Sequence, residues 1–169
     1  PSIVNDKDCI QLDSIQTLRF KDVTFSYPNG EEAVLKDIDF SCHKGQKIAV
    51  IGSTGSGKST LVKLMNRFYD VSRGMIEING VDIRKYDLES LRAQIGYVAQ
   101  KAHMFKGSIR SNICFGKPDA SDEEMVHAAT VAQASDFITK REHGYLDEIA
   151  EDGTNISGGQ KQRLSIARV

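Results

Sequence analysis

The run Gly52-Ser53-Thr54-Gly55-Ser56-Gly57-Lys58-Ser59-Thr60 constrains this chain more than any other. It lies between an apolar run, Ile48-Ala49-Val50-Ile51, and an amphipathic run, Leu61-Val62-Lys63-Leu64-Met65, so it reads as strand, glycine loop, helix. The spacing is G-x-x-x-x-G-K-[ST], the phosphate-binding pattern, with Gly52 and Gly57 as its glycines, Lys58 as its lysine and Ser59 as its hydroxyl. Glycines take φ > 0 and carry no Cβ, so successive N–H groups can curl around a phosphate at the positive end of the following helix. Lys58 adds a point charge for the terminal phosphates, and Ser59 offers an oxygen to Mg²⁺.

At 169 residues the chain is long enough for one domain, or for two lobes. Its net charge of −1, with both signs interspersed, provides no basic field for nucleic acid or an anionic membrane. Cys9, Cys42 and Cys114 are odd in number and far apart, which fits reduced thiols better than a disulfide framework. His43, His103, His127 and His143 show no metal-ligand spacing. No apolar run approaches the roughly 18 residues that a membrane helix needs, and no signal peptide opens the chain.

Residues 1–16 are polar and without sustained period, and are expected to be a linker or tail. From Leu18 the apolar residues alternate through Phe20, Val23, Phe25 and Tyr27, with a slip at Lys21-Asp22 that predicts a bulge. Pro28-Asn29-Gly30 reads as a turn, and a second run, Ala33 to Cys42, leads through Lys44-Gly45 toward the phosphate loop. After the loop helix, Met75–Ile78 reads as a strand closed by Asn79-Gly80, a hairpin signal. Asp87 is a candidate N-cap, and Ile95 to Ala99 is a candidate strand ending in Gln100. Then the character becomes helical: a short helix over Ser108 to Cys114, and a capping box at Ser121–Glu124 opening a helix to about Ala132.

A second constellation, Ile156-Ser157-Gly158-Gly159-Gln160, precedes Lys161 to Arg168, which has helical spacing. Ser157 and Gln160 form another S-x-x-Q capping box, and that alone accounts for a well-capped helix. An exposed helix start with a hydroxyl and bare N–H groups is also a second anion site.

With Ser157-Gly158-Gly159-Gln160 far downstream of the phosphate loop, the chain resembles the nucleotide-binding domain of ABC transporters, and more narrowly the exporter type, over about Thr17 to Val169. Gly74 to Ile83, Leu91-Arg92 with Ile95 to Gln100, Phe105 to Ile113, and Glu151-Asp152-Gly153 all look like exporter segments. The resemblance implies an α/β P-loop fold: an antiparallel β subdomain and a partial RecA-like core over 17–100, then an α-helical subdomain over 101–169. It implies ATP and Mg²⁺ as ligands. Residue by residue, Tyr27 matches the aromatic that stacks on adenine, unless it is simply a core aromatic. Residues Gly52, Ser53, Thr54, Gly55, Ser56, Gly57, Lys58, Ser59 and Thr60 match the loop. Gln100 matches the glutamine that reaches Mg²⁺ and the attacking water, so Lys58 and Gln100 are the catalytic candidates and Ser59 and Gln100 the metal candidates. Ser157, Gly158, Gly159 and Gln160 match the signature that touches the partner's ATP. Phe105 through Ile113 resembles the surface that docks on a transmembrane domain, and Glu151 the acidic residue ahead of the signature.

Two positions depart from the family pattern. Ile156 stands where Leu is usual, an apolar swap of similar volume, and Ala99 stands where many members have Pro. The family's core strand ending in Asp and then Glu, and its switch His, are not found among these residues, so the C-terminal core strands are expected to be absent and ATP hydrolysis by this chain alone negligible. The resemblance further implies a head-to-tail pair of nucleotide-binding domains driving a transmembrane domain at the cytoplasmic face of a membrane. The rival readings are a DNA-maintenance ATPase of the SMC or mismatch-repair type, and a binding-only half-site of a heterodimeric transporter.

Overall fold

A computed structural model describes residues 3–28, 30 and 32–169, which divide into two compact units, 1–95 and 96–169. The first unit is built on a sheet of four antiparallel strands in the order β2-β1-β3-β4. These are β1 (Thr17–Phe25), β2 (Leu35–His43), β3 (Arg73–Ile78) and β4 (Val81–Asp82). Two helices belong to it, α1 (Lys58–Met65) and α2 (Leu88–Ala93). Leu18, Phe20, Val23 and Phe25 of β1 are all buried, although Phe20 and Val23 are three positions apart. The bulge at Lys21-Asp22 makes this possible, since it shifts the register between Phe20 and Val23 and sets Asp22 at φ 48°. Gly74 on β3 fits against that bulge. It has φ 77°, and a Cβ there would lie 2.3 Å from the Asp22 carbonyl oxygen, so only glycine suits. Phe20 is fully buried and stacks on Phe40 of β2 with centroids 4.7 Å apart, a contribution of about 2–3 kcal/mol from burial.

Asn79 and Gly80 join β3 to β4 with φ 53° and 77°, the pair of positive values that a tight two-residue hairpin turn requires. The Asn79 side chain does more than turn the chain: its Oδ1 accepts from the amides of Gln16 and Thr17 and its Nδ2 donates to the Ser14 carbonyl. The turn expected at Pro28-Asn29-Gly30 includes Asn29, which lies outside the described residues; around it the Gly30 amide donates to the Tyr27 carbonyl at 2.9 Å.

The second unit contains β5 (Gly107–Ser108) paired antiparallel with β6 (Glu148–Ile149), and α3 (Ile109–Ile113), α4 (Asp122–Val131), α5 (Ser135–Ile138) and α6 (Gly158–Arg168). Ile109, Ala129, Ile138 and Leu164, one from each helix, are completely buried in its core. Ser121 and Glu124 close the capping box ahead of α4 in both directions, and Asp87 caps α2 by accepting from the Ser90 amide.

Two apolar runs expected as strands form none: Ile48–Ile51 and Ile95–Ala99 lie outside every ladder. Ile51 is 93% exposed. An apolar run becomes a strand only when a neighbouring backbone completes its hydrogen bonds, and among the described residues neither run has such a neighbour. Residues 3–16, expected as a linker, lie along the first unit, where Leu12 is buried and Ile10 bridges to Tyr86.

Candidate functional site

The loop ahead of α1 is shaped by its glycines. Gly57, the residue before the helix, has φ 88° and a left-handed conformation, and a Cβ there would stand 2.6 Å from Leu35 Cδ2. Gly55 also has a positive φ, 84°, and a Cβ on Gly52 would lie 2.5 Å from Ser56 Oγ. Lys58 folds back over this curl, with its Nζ donating to the carbonyls of Gly52 and Ser53 at 2.7 Å each and to Ser56 Oγ at 3.3 Å. No side chain caps the helix, so the amides of Lys58, Ser59 and Thr60 begin it without intrahelical acceptors. These donors, the ammonium and the exposed Ser59 hydroxyl form a donor set that fits an anionic phosphate with a hard cation beside it.

Tyr27 lies just past the end of β1, half-buried, edge-on to Phe25 and Tyr69 at 5.0 and 5.1 Å. Its hydroxyl is 3.0 Å from Thr60 Oγ1, and Lys63 Nζ lies 5.9 Å from its ring centroid. The fold therefore brings Tyr27 to the loop helix, and the buried Thr60 hydroxyl is turned toward the tyrosine. Behind the loop lies a groove of about 370 Å³ lined by Leu35, Ile38, Phe40, Ile48, Val50 and Lys58 among others. Its walls are mostly apolar, which suits packing rather than a triphosphate.

In the second unit Gln100 is exposed on a bend. Ser157 caps α6: its Oγ accepts from the Gln160 amide at 3.3 Å while Gln160 Oε1 accepts from the Ser157 amide at 3.0 Å. Ile156 is buried beneath them. Glu151 is exposed and opens a 3₁₀ turn, Glu151–Gly153, in which Asp152 has φ 54°. Lys161 Nζ holds the Asp152 carbonyl at 2.8 Å, and Asn155 ties the Ala150 amide to the Glu148 carbonyl. Phe105 and Phe115 are exposed and stacked 4.3 Å apart, with the Arg168 guanidinium 5.1 Å from the Phe105 centroid.

Asn112, within the Phe105–Ile113 segment, is buried rather than presented on a surface. Almost fully buried, it accepts from the Phe105 amide and from Arg168 Nη2, and donates to the carbonyls of Phe105 and Ser108. Arg168 also donates to the Asn112 and His103 carbonyls, and burial pushes its pKa below the ordinary arginine value. The one available signal was its spacing, three residues after Ile109 and next to Ile113, which sets Asn112 on the apolar face of α3 rather than on the exposed side that carries Ser111.

Residues 35–169 match the family described as ABC transporter, and the chain belongs to that family. Several similar proteins carry export in their names. It is 45% identical to YgaD of Bacillus subtilis over 163 residues, 96% of this chain and 28% of that protein. It is 49% identical to SAOUHSC_02003 of Staphylococcus aureus over 147 residues, 87% of this chain and 25% of that protein. Both relatives are named for multidrug export and as ATP-binding/permease proteins. A solved bacterial Atm1-family ABC exporter with ATP bound superposes with a TM-score of 0.93 at 36% identity, over 98% of this chain and 29% of that one. The fold is thus that of an exporter-type ABC nucleotide-binding domain, and the chain spans about a quarter of the length of the relatives it matches.

Proposed function

We propose that this chain binds Mg·ATP at the Gly52–Thr60 loop as the ATP-binding part of a membrane exporter. The left-handed Gly57 ahead of α1 carries this reading, because it turns the helix-start amides, Lys58 and Ser59 into one donor-lined concavity. Lys58 exchanges its loop carbonyls for the terminal phosphate oxygens, and the amides of Lys58 to Thr60 satisfy oxygens nearer the ribose. Ser59 would offer its hydroxyl to Mg²⁺, which would neutralise phosphate charge when bound. Tyr27 offers its ring to adenine, and its bond to Thr60 keeps that ring beside the loop helix.

The signature works in trans, on ATP held by a second nucleotide-binding domain. A Cβ on Gly158 would meet nothing within 4 Å, and on Gly159 only an Arg163 nitrogen at 3.9 Å. Glycine at the start of a helix is unfavourable, and no packing within the chain demands it here. Close approach of an external anion to the Gly158 and Gly159 amides, which the capping box leaves unused, gives a reason for both glycines. Gln100 and the exposed Phe105–Phe115 pair face a transmembrane domain at the cytoplasmic face, and ATP binding and hydrolysis in the paired domains drive export. The net charge of −1 argues against nucleic acid as a partner.

The test is a calorimetric titration of the chain with Mg·ATP and Mg·GTP. Saturable binding that prefers ATP, with the preference lost in Tyr27→Leu, is expected. Equal affinity for both nucleotides, or no saturation, overturns the reading. Phosphate release by these 169 residues alone is expected to be negligible; fast release that depends on Lys58 overturns that part.

A further inference from the structure

The far end of the phosphate-loop helix is held by arginines. α1 is capped at its C-terminal end by Asn66, and the next residue, Arg67, has a left-handed backbone (φ 47°), which a non-glycine residue keeps only when its surroundings hold it there. The buried Arg67 side chain donates from Nε to Asp70 Oδ1 at 2.9 Å, from Nη1 to the Arg84 carbonyl at 3.2 Å and from Nη2 to the Val4 carbonyl at 3.5 Å. Arg92, on α2, donates to the carbonyls of Asn66 and Arg67 at 3.3 and 3.1 Å. Both arginines therefore tie the C-terminal end of α1 to the segment 84–92.

That segment is in turn gripped by the N-terminal stretch. The Ile10 amide donates to the Lys85 carbonyl and the Ile10 carbonyl accepts from the Asp87 amide, each at 2.9 Å. Asn5 spans the start of α2, donating to Asp87 Oδ1 at 2.6 Å and accepting from the Leu88 amide at 2.9 Å. The Leu12 amide donates to Ser90 Oγ at 3.1 Å, and the Leu12 side chain is buried.

We propose that residues 4–12 are a strap that positions the phosphate loop, acting through Arg92 and Arg67 on the C-terminal end of α1. The helix is short, roughly 12 Å, and rigid, so a tilt at Asn66–Arg67 displaces the amides of Lys58 to Thr60 at its other end. Small displacements of groups that must meet a ligand together are costly, and loosening the strap lowers affinity for a phosphate ligand without touching the loop. Any tension or slack reaching the strap from its own N-terminal side is then felt at the nucleotide. Arg67 and Arg92 are positioning residues. This inference rests on the nucleotide reading of the loop above.

The experiment uses Asn5→Ala, Arg92→Met and the double variant in the full 169-residue chain. Arg92 is exposed, and methionine keeps a long unbranched side chain while removing the guanidinium, its two hydrogen bonds and its contact with the Phe68 ring. Mg·ATP affinity is measured by calorimetry, and amide hydrogen exchange at Asn66, Arg67 and Phe68 by NMR without nucleotide. Each single variant removes two hydrogen bonds and is expected to weaken Mg·ATP by about fivefold, since only part of that loss reaches the loop, and to speed exchange at those amides relative to β1. The double variant should lose less than the sum of the two single losses, with Arg92→Lys restoring part of the affinity. Unchanged affinity in folded variants, or fully additive losses, overturns the strap. If the parent chain binds no Mg·ATP the nucleotide reading falls, whereas exchange at Asn66–Phe68 unchanged in Asn5→Ala overturns the strap independently.

Discussion

The ammonium of Lys58 lies 2.7 Å from the carbonyl oxygen of Gly52, the first glycine of its own loop. With Ser53 and Ser56 also in reach, the charge that a phosphate would use is engaged inside the loop. A phosphate must displace these bonds, and it succeeds because a charged partner outcompetes neutral carbonyls. Lys58→Ala is expected to cost about 2–5 kcal/mol of Mg·ATP binding, as when one member of a buried charge pair is removed. A calorimetric titration giving unchanged affinity would refute the role assigned to Lys58.

Gly74→Ala tests the bulge. The new methyl would meet the carbonyl oxygens of Asp22 and Lys21 at 2.3 and 2.4 Å, in a backbone conformation that alanine disfavours. A loss of about 3 kcal/mol in urea unfolding of the first unit is expected. Gly80→Ala, where nothing lies within 4 Å, should lose clearly less.

Asn112→Ala removes the acceptor of Phe105 and Arg168 and a donor to two carbonyls at a site only 1% exposed. A destabilisation of about 3 kcal/mol is expected, read as a lower melting temperature of the second unit. Nucleotide affinity at the Gly52–Thr60 loop should stay as it was, which the same titration checks.

Asp82 supplies the pH dependence. Burial pushes its carboxyl up, but the hydrogen bonds from the Arg84 side chain and backbone, with the charges of Arg84 and Arg67, outweigh this and leave its pKa below the ordinary value. A carboxyl depressed in the folded state contributes stability that is complete above its unfolded pKa of about 4 and is lost as pH falls through the folded value. Unfolding free energy should therefore drop in the acid range below about pH 4, less steeply in Asp82→Asn than in the parent. Parallel acid profiles for the two proteins would show that Asp82 contributes nothing.

Much of the local structure was legible because its causes are local. Gly57-Lys58-Ser59 starts a helix, Asn79-Gly80 supplies both positive φ values of a hairpin, Lys21-Asp22 breaks an alternation, and Ser121 and Ser157 carry the partner that completes each capping box. Each of these rests on bonds within a few residues, so composition and spacing specify it. The candidate site was legible for the same reason where it is contiguous, at Gly52–Thr60 and Ser157–Gln160. Tertiary structure alone decided the rest. Ile48–Ile51 has the pattern of a strand and is none, since a strand exists only with a neighbour to pair with. Residues 3–16 have no period, yet Asn5, Ile10 and Leu12 find partners at Asp87, Lys85 and Ser90, far along the chain. Nothing in the local sequence around Arg67, Arg92, Asn112 and Arg168 announces their partners. What gives each arginine its place is a set of carbonyl oxygens from distant segments, and Asn112 is held by the Arg168 guanidinium from far along the chain; only the folded chain brings these groups within 3.5 Å.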